Sequence, residues 1–466
     1  MRNQKLCRLI LIILLCLPTA VQADQSADLV QAELTRSKTP GAAIVVIRDG
    51  RVERVQGFGQ ANIEHGVPVH ADTLFKTGAT GMQFTAAGIM LLVEDGALEL
   101  DAPVGRYLSG APSKWRKVTI RQLLNHTSGL PATPNGDFRA DYTNAQLLGI
   151  IAAQDLNFPA GTRYRFSFAG YIVLGMVIEQ VSGEHWTKFV ARRLFAPLGM
   201  RTARGIDELA IVPNRAAGYE WRGGVLRNAE WISPTANSTA DGSLYLSALD
   251  YAAWSQVLSR HRLLSSQSWT TLGEPARIAD GSSCASVPGW FMGMAGHEPI
   301  LWQAGSWQGF QSYTLRYTNK DVTVMVFANG DKADVQTLAR GLAALADPAL
   351  AAVPASVRQD ADPVVTARAR ALVEAIAAGR ARKADFTDFA RLDLKEMNDL
   401  NAGMLNELGA LQQFEMFDRR TNCSETAYRY RARYDHGMIE VRLGLNEKGK
   451  VTNLEIAPLN DWHSPL

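Results

Sequence analysis

The chain has 466 residues, of which 47% are hydrophobic, and its 48 basic side chains nearly balance 46 acidic ones, for a formal net charge of +2. This composition is typical of a globular protein, and the near-neutral charge argues against a nucleic-acid partner. The length exceeds what one hydrophobic core usually fills, so we expect two domains.

The first 23 residues have the pattern of a secretory signal peptide. Basic residues are followed by an apolar run from Leu9 to Leu17, then Pro18, and a small-x-small cleavage site that ends at Ala23. A membrane anchor, the alternative, needs about 20 apolar residues, and this run has roughly half that number. No later run is long enough to span a bilayer. We therefore expect an exported protein, periplasmic or secreted, that begins at Asp24.

The first predicted elements after the signal peptide are a helix over Ser26–Ser37 and a strand over Ala42–Arg48. Asp49-Gly50 is a hairpin signal, and Val52–Gly57 is predicted as the partner strand. A buried helix is predicted next, because apolar residues recur at helical spacing at Phe84, Ala87, Gly88, Leu91 and Leu92. Gly96 is predicted to end this helix.

Further along, Thr119 and Gln122 have the spacing of a capping box for a short helix. His126 and Ser128 come next and could form a catalytic pair. The alternative is that both side chains tie a loop to the helix end, and we prefer this interpretation.

The rest of the first domain is predicted to alternate helices with sheet strands. Its segments are a helix up to Ser182-Gly183, a turn and helix over Thr239–Trp254, strands near Leu301–Ser312, Tyr313–Thr318 and Val322–Asn329, and a helix over Ala333–Ala346. The aperiodic, Ala/Pro-rich residues 347–355 are the predicted linker.

Beyond the linker, residues 356–466 are predicted as a small α+β accessory domain, whose order of elements resembles NTF2-like or cystatin-like domains. Helices over Pro363–Ala378 and Leu394–Leu408 precede three strands, of which the first alternates Tyr with Arg. We expect the arginine row to be a solvated sheet face. Of the four cysteines, Cys284 and Cys423 lie outside the signal peptide, in different predicted domains, and either a disulfide or two free thiols is possible.

Several segments together resemble the β-lactamase-related serine hydrolases, the group around class C β-lactamases, D-alanyl-D-alanine carboxypeptidases and related esterases. The segments are TLFKTGATGMQFTAAG from Thr73, VTIRQLLNHTSGLP from Val118, FPAGTRYRFSFAGYIVLG from Phe158 and LWQAGSWQGFQS from Leu301. The resemblance covers residues 24–346. It implies an α/β (α+β) fold, with a β-lactamase/transpeptidase-like domain whose central antiparallel sheet is flanked by helices.

In that family the first motif is Ser-x-x-Lys, the second is Tyr-x-Asn and the third is His- or Lys-x-Gly. The matching positions of this chain are Ala79 and Met82, Phe166 and Phe168, and Gln303 before Gly305. None of these side chains can act as nucleophile, base or proton carrier. The replacements keep approximate shape while removing a polar atom, which is neutral or stabilising once the nucleophile is absent. We therefore predict a folded pseudoenzyme with no cofactor and no metal.

Two functions from different classes remain open. The first is binding of a peptide-like or cell-wall ligand, or of a protein partner, in a pocket whose candidate residues are Trp302, Gln303, Gly305, Trp307, Phe166 and Phe168. These aromatic side chains could instead fill the vacated space as core. The second function is hydrolysis by a relocated nucleophile, for which the candidates are Thr80, Ser167, Ser243 and Ser306.

Overall fold

The structure is a computed structural model that describes residues 17–351, 360–386, 394–423, 425–446 and 448–458. These residues form two compact units. The first contains residues 17–161, 165–276 and 286–351, and the second contains residues 162–164, 277–285 and the described residues after 351. Residues 1–16 of the predicted signal peptide and 352–355 of the predicted linker lie outside the described residues.

The first unit combines helices with short and long strands. Its helices are α1 (Leu17–Ser37), α2 (Met82–Glu94), α3 (Ile120–Leu124), α4 (Asn144–Ala153), α5 (Phe168–Ser182), α6 (Trp186–Val190), α7 (Ala248–Arg260), α8 (Ser266–Gly273) and α9 (Val335–Ala346). Its strands are β1 (Gly41–Arg48), β2 (Arg51–Asn62), β3 (Val67–Pro68), β4 (Phe75–Lys76), β5 (Arg204–Gly205), β6 (Tyr219–Arg222), β7 (Val225–Asn228), β8 (Leu244–Leu246), β9 (Ser286–Val287), β10 (Trp290–Ala295), β11 (Glu298–Trp307), β12 (Phe310–Tyr317) and β13 (Val322–Ala328). In the part of the chain that is described, no helix has the length and apolar character needed to cross a bilayer.

The central sheet has eight strands in the order β3-β2-β1-β13-β12-β11-β10-β9, and its neighbouring strands pair antiparallel. Every residue of β13 is buried, because helices cover both faces of the sheet at its centre. A strand covered on both faces has no polar face to expose, which explains the continuous apolar runs of β1 and β13. The predicted fold class, a central antiparallel sheet flanked by helices, is confirmed.

Local sequence signals account for the helix ends near the site. Thr119 and Gln122 form the predicted capping box at the start of α3. α5 begins after Ser167, whose hydroxyl accepts a hydrogen bond from the backbone N–H of Gly170. The same helix ends at Gly183, which has the left-handed backbone (φ 75°) that a side chain would disfavour.

The second unit contains helices α10 (Pro363–Ala377) and α11 (Leu394–Glu407) and strands β14 (Leu411–Asn422), β15 (Glu425–Tyr434), β16 (Gly437–Asn446) and β17 (Val451–Pro458). The strands form an antiparallel sheet in this order. Leu372, Val373 and Ile376 of α10 belong to the same buried cluster as Tyr428 and Tyr430 of β15. The predicted C-terminal α+β unit is thus confirmed, with β14 as a fourth strand that the sequence analysis missed.

The expectation that the arginine row of β15 forms a solvated face is wrong for one of its members. Arg429 is only 5% exposed, and its Nε lies 2.7 Å from a carboxylate oxygen of Glu440 on β16. Arg442 contacts the same Glu440 oxygen at 2.6 Å, and the Arg429 guanidinium lies over the Phe417 ring at 4.8 Å. A buried charge is tolerated only with a partner, and the neighbouring strand supplies one.

Cys284 and Cys423 form a disulfide, with Cα atoms 4.7 Å apart and 139 residues apart in sequence. The sequence analysis assigned them to different domains, but residues 277–285 belong to the second unit. Two hydrogen bonds flank the bridge. The N–H of Cys423 donates to the carbonyl of Ser283 at 3.3 Å, and the N–H of Ala285 donates to the Asn422 side chain at 2.6 Å.

Candidate functional site

Ala79, at the serine position of the first family motif, lies on a 3-10 turn (Gly78–Gly81) that leads into α2. The preceding Thr77 anchors this turn: its hydroxyl donates to the carbonyl of Gly242 at 2.6 Å, and its own carbonyl accepts from the Ser312 hydroxyl at 2.6 Å. Ala79 is 8% exposed and lines a cavity. Other chain segments therefore hold the turn in place, whatever side chain residue 79 carries.

Pairing of short strands brings these segments together. β8 pairs with both β4 and β5, so the turn that follows β4 lies beside the residues that precede β8. Glycines make the close contact possible. A Cβ on Gly242, whose φ is +125°, would lie 2.0 Å from the carbonyl oxygen of Gly78, and a Cβ on Gly305 would lie 2.0 Å from that of Thr77. Gly305 thus packs against the turn and is not among the residues that line the cavity.

The lysine position of the first motif and the base position of the third are in contact. Met82 is fully buried, and its sulfur lies 3.9 Å from the side-chain nitrogen of Gln303. Gln303 is 2% exposed, and its side-chain oxygen accepts a hydrogen bond from the N–H of Ala304 at 3.2 Å. Neither residue lines the cavity, and neither carries a group that exchanges protons near neutral pH.

The second-motif positions carry aromatic rings that belong to a larger cluster. The ring of Phe166 meets that of Phe168 edge-on at 5.0 Å between centroids and stacks on Phe291 at 5.4 Å. Phe291 stacks on Trp302 at 4.5 Å, and Trp302 on Tyr313 at 6.0 Å. Of these five, only Phe168 lines the cavity. Phe166 and Trp302 therefore act as packing residues beside it.

Two of the four candidate nucleophiles are engaged in structural hydrogen bonds. The Thr80 hydroxyl donates to the carbonyl of Thr77 at 2.8 Å and lies 2.9 Å from the Ser312 hydroxyl. The Ser167 hydroxyl caps α5 and donates to the carbonyl of Pro131 at 2.6 Å. Both side chains are 1% exposed, so neither is accessible to a ligand in the cavity.

The other two candidates, Ser243 and Ser306, line the cavity. The Ser306 hydroxyl accepts from the Gln311 side-chain amide at 3.1 Å, which does not activate it. The Ser243 hydroxyl lies 3.4 Å from the hydroxyl of Thr239 and 3.4 Å from the carbonyl of Ala236. A base within hydrogen-bond reach is needed for nucleophilic attack, and none of these contacts supplies one directly.

His126 and Ser128 have the structural role that the sequence analysis preferred. The ring of His126 accepts a hydrogen bond from the N–H of Ser167 at 3.1 Å and packs against Phe166 and Tyr171 at 4.4 and 5.1 Å. Burial lowers the pKa of His126 to about 3, which keeps the ring neutral. The Ser128 hydroxyl accepts from the N–H of Leu130 at 3.2 Å. Neither residue lines the cavity.

The cavity has a volume of about 170 Å³. Its walls come from Gly78 and Ala79, from seven residues between 133 and 142, from Leu147 on α4, from Phe168 and Ile172 on α5, from six residues between 235 and 243, and from Ser306 and Trp307 on β11. Of the predicted pocket residues, Phe168 and Trp307 line it. Among the described residues, no group of three or more His, Cys, Asp or Glu side chains could hold a metal ion.

Asp241 is an ionisable residue of the cavity wall whose carboxyl has a shifted pKa. Its carboxylate accepts a hydrogen bond from the Thr239 hydroxyl at 2.6 Å. Withdrawal from water raises the pKa of the Asp241 carboxyl to about 6. A carboxylate in such surroundings gains from a cationic or hydrogen-bonding partner more than an exposed one does.

The sequence analysis missed Asp241 and the cavity wall formed by Phe138, Tyr142 and Ile172. One signal for Asp241 was present: an acidic residue sits directly before Gly242 in the predicted turn at the start of Thr239–Trp254. Phe138 and Tyr142 belong to a loop with no family landmark, so only the folded chain shows that they face the site.

Curated relatives that resemble this chain include a penicillin-binding protein and protein flp. Penicillin-binding protein 4* of Bacillus subtilis (strain 168) is 26% identical over 312 residues, which cover 62% of this chain and 68% of the relative. Protein flp of Staphylococcus aureus (strain MRSA252) is 24% identical over 330 residues, which cover 66% of this chain and 62% of the relative. The chain thus spans less than two thirds of the length of protein flp.

Solved structures have the same fold. A penicillin-binding protein homologue from Pyrococcus abyssi, described as octameric, superposes with a TM-score of 0.61 at 19% identity, covering 94% of this chain and 97% of that one. D-amino acid amidase from Ochrobactrum anthropi SV3 superposes with a TM-score of 0.60 at 21% identity, covering 71% and 97%.

The family described as Beta-lactamase matches residues 27–348, which contain the central sheet, the 3-10 turn with Ala79 and the whole cavity wall. With more than half of its length matched, this chain belongs to the Beta-lactamase family.

Proposed function

We propose that this chain is an exported member of the family that lacks the family's hydrolytic chemistry and binds a small peptide-like or cell-wall ligand in the cavity beside Ala79. The observation that carries the proposal is the position of Ala79 itself. Its side chain lines a cavity of about 170 Å³ where the resemblance assigns a nucleophile, and it ends in a methyl group. The cavity is thus retained while the reacting atom is absent.

The neighbouring family positions support loss of catalysis. Lysine and tyrosine act in acyl transfer by holding or moving a proton, and Met82 and Phe166 can do neither. Met82 is buried against Gln303, and Phe166 is stacked on Phe291, so both replacements are integrated into packing. Packing of this quality is expected of a protein that folds stably without the polar groups.

The character of the cavity wall supports binding. Aromatic and aliphatic side chains provide most of its surface, and its polar groups come from Thr133, Asp137, Thr235, Thr239, Asp241, Ser243 and Ser306. Cavities of this composition are typical ligand sites, because apolar contact provides affinity and a few polar atoms fix orientation. If no small ligand binds, binding of a protein partner is the alternative function.

A second candidate function is hydrolysis by Ser243. The Thr239 hydroxyl lies 3.4 Å from that of Ser243 and donates to the Asp241 carboxylate at 2.6 Å. These contacts connect a hydroxyl to a carboxylate through one intermediate side chain. Direct contact between nucleophile and base is the usual arrangement, so binding is the function that the geometry supports better.

Export is supported by the disulfide as well as by the N-terminal pattern. Bridges between cysteines persist in oxidising compartments and are rare where thiols are kept reduced. Cys284 and Cys423 are bonded to one another and are 2% and 6% exposed. This bridge is expected to form after translocation.

Export predicts the mass and thiol content of the protein isolated from the periplasm or culture medium. The chain should begin at Asp24, and iodoacetamide should add nothing before reduction and two groups after reduction under denaturing conditions. Intact-mass spectrometry measures both. Recovery only from the cytosol, with Met1 present and all four cysteines of the full chain as free thiols, would contradict the proposal.

Loss of catalysis predicts that penicillins, cephalosporins and fluorophosphonates leave the purified protein unmodified. No acyl or phosphonyl adduct should appear by intact-mass spectrometry, because no activated hydroxyl lies in the cavity. Ser243→Ala and Ser306→Ala variants serve as controls for the two accessible hydroxyls. A stoichiometric adduct that maps to Ser243 and disappears in its alanine variant would establish the hydrolase alternative.

Binding in the cavity predicts a thermal shift with acyl-D-alanyl peptides, muropeptides or hydrophobic esters. A ligand at about 100 times its dissociation constant adds about 2.7 kcal/mol to the free energy of unfolding, and should raise Tm by about 2 °C or more. Ser306→Trp should abolish the shift, since Ser306 is an exposed residue of the cavity wall.

The matched control for this variant is Ala304→Trp. Ala304 is also exposed, lies two residues away on β11 and is not part of the wall, so its variant should retain the shift. Equal loss in both variants would mean that the ligand binds elsewhere. No shift with any compound, together with a protein recovered by crosslinking, would replace the small ligand by a protein partner.

A further inference from the structure

We propose that the cavity selects a ligand with a protonated amine attached to an apolar group about the size of one aromatic ring, and that Asp241 is the residue that recognises the amine. This inference rests on the proposed function, because it names the ligand class of the same cavity. Asp241 has no place in the family motifs to which the resemblance assigns catalysis.

The charges of the wall have one sign. The ionisable side chains among the lining residues are Asp137, Tyr142 and Asp241, with no lysine, arginine or histidine. Arg139 lies between Phe138 and Ala140 in sequence but does not line the cavity. Its guanidinium instead pairs with Glu230 at 2.5 Å. A cationic ligand group would therefore meet a carboxylate and no competing cation from the lining residues.

Asp241 is available as the partner of a cation. Among the residues that the structure describes, its carboxylate accepts hydrogen bonds from the Thr239 hydroxyl and from its own backbone N–H, and no lysine, arginine or histidine pairs with it. A donor hydroxyl orients the carboxylate without neutralising it. An ammonium group offers both a positive charge and three hydrogen-bond donors, which is the complement that such a carboxylate lacks.

Aromatic rings that line the same cavity as the carboxylate strengthen the preference for an amine. Phe138, Tyr142, Phe168 and Trp307 all line the cavity, and Phe138 meets Trp307 edge-on at 5.9 Å between ring centroids. Ring faces attract ammonium groups, and the attraction grows when water is excluded. The same rings offer apolar contact to the remainder of the ligand.

The volume of the cavity indicates the size of the ligand's apolar group. A dry cavity of about 150 Å³ holds one benzene molecule, so a cavity of this volume accommodates one ring, and the rest of a larger ligand would extend out of it. A ring joined to an amine by a short linker satisfies both the wall and Asp241. The shared chemistry is that of an arylalkyl amine or of the N-terminus of an aromatic amino-acid derivative, and the probes below represent the first.

The test compares phenethylamine with two isosteres, phenethyl alcohol and hydrocinnamate, by isothermal titration calorimetry at pH 7.5 on the mature protein. The amine should bind at least about tenfold more tightly than the alcohol, and the carboxylate should bind most weakly, since it would face Asp241. Asp241→Asn should weaken amine binding about tenfold or more while it changes alcohol binding less than threefold.

Asp141→Asn is the matched control, because Asp141 is an exposed carboxylate of the neighbouring loop that does not line the cavity. It should change amine binding less than threefold. Measuring affinity against pH with the unmodified protein gives a second test, which does not depend on whether a variant folds. With a pKa of about 6, the Asp241 carboxyl is charged at pH 7.5 and largely neutral at pH 4.5. The affinity for the amine should therefore fall between pH 7.5 and pH 4.5, since the amine stays protonated throughout. The affinity for the alcohol should stay constant.

The outcomes separate this inference from the function on which it rests. Alcohol binding as tight as amine binding, or amine binding that Asp241→Asn leaves within threefold, overturns the role of Asp241 and leaves cavity binding intact. If neither probe binds and the thermal-shift screen is also silent, the proposed function fails, and this inference fails with it.

Discussion

The structure of the site depends on the close approach of three backbone segments around Thr77 and Gly78. Gly242 and Gly305 press their Cα atoms against carbonyl oxygens of this turn so closely that a Cβ on either would lie 2.0 Å from one. Hydrogen bonds from Thr77 and Ser312 hold the same segments together. These contacts are made by backbone and short polar side chains. They fix the position of residue 79 without any contribution from its own side chain, so the geometry of the site persists with alanine there.

The side chains around the turn differ from the family motifs in a consistent direction. Met82 contacts Gln303 where the resemblance implies charged or proton-transferring groups, and Phe166 stacks on Phe291. An unpaired polar atom in a buried position such as that of Met82 would cost about 1–3 kcal/mol, so an apolar side chain there stabilises the fold. Asp241 is the exception, because the structure keeps a carboxylate where burial disfavours its charge. A group kept at such a cost is a candidate for function rather than for stability.

Sequence patterns predicted elements whose signals are local. The helical spacing of Phe84 to Leu92 and the capping box at Thr119 depend on neighbours within one or two turns, and both are present. β14 was missed because its register shifts twice, between Leu411 and Gln413 and between Met416 and Asp418, which breaks the alternation that marks a strand. The burial of Arg429 depends on Glu440 from another strand.

The candidate site shows the same limit. Ala79, Met82 and Gln303 could be located because motif spacing carries them, and the structure brings the last two into contact. Which side chains face the cavity could not be predicted, since this depends on how residues 133–142 fold over the turn. Trp302 and Phe166 consequently turned out to pack beside the cavity wall, while Asp241 lies in it.

The central claim is that several replacements together disabled the site, and the double variant Ala79→Ser/Met82→Lys tests it most directly. With Phe166, Phe168 and Gln303 unchanged, hydrolysis of a chromogenic ester should stay within about tenfold of the parent rate, because catalytic groups act as a unit. The buried ammonium should also lower the free energy of unfolding by about 3 kcal/mol, whereas Met82→Leu should cost less than about 1.5 kcal/mol. Rapid ester hydrolysis by a double variant as stable as the parent would contradict the account.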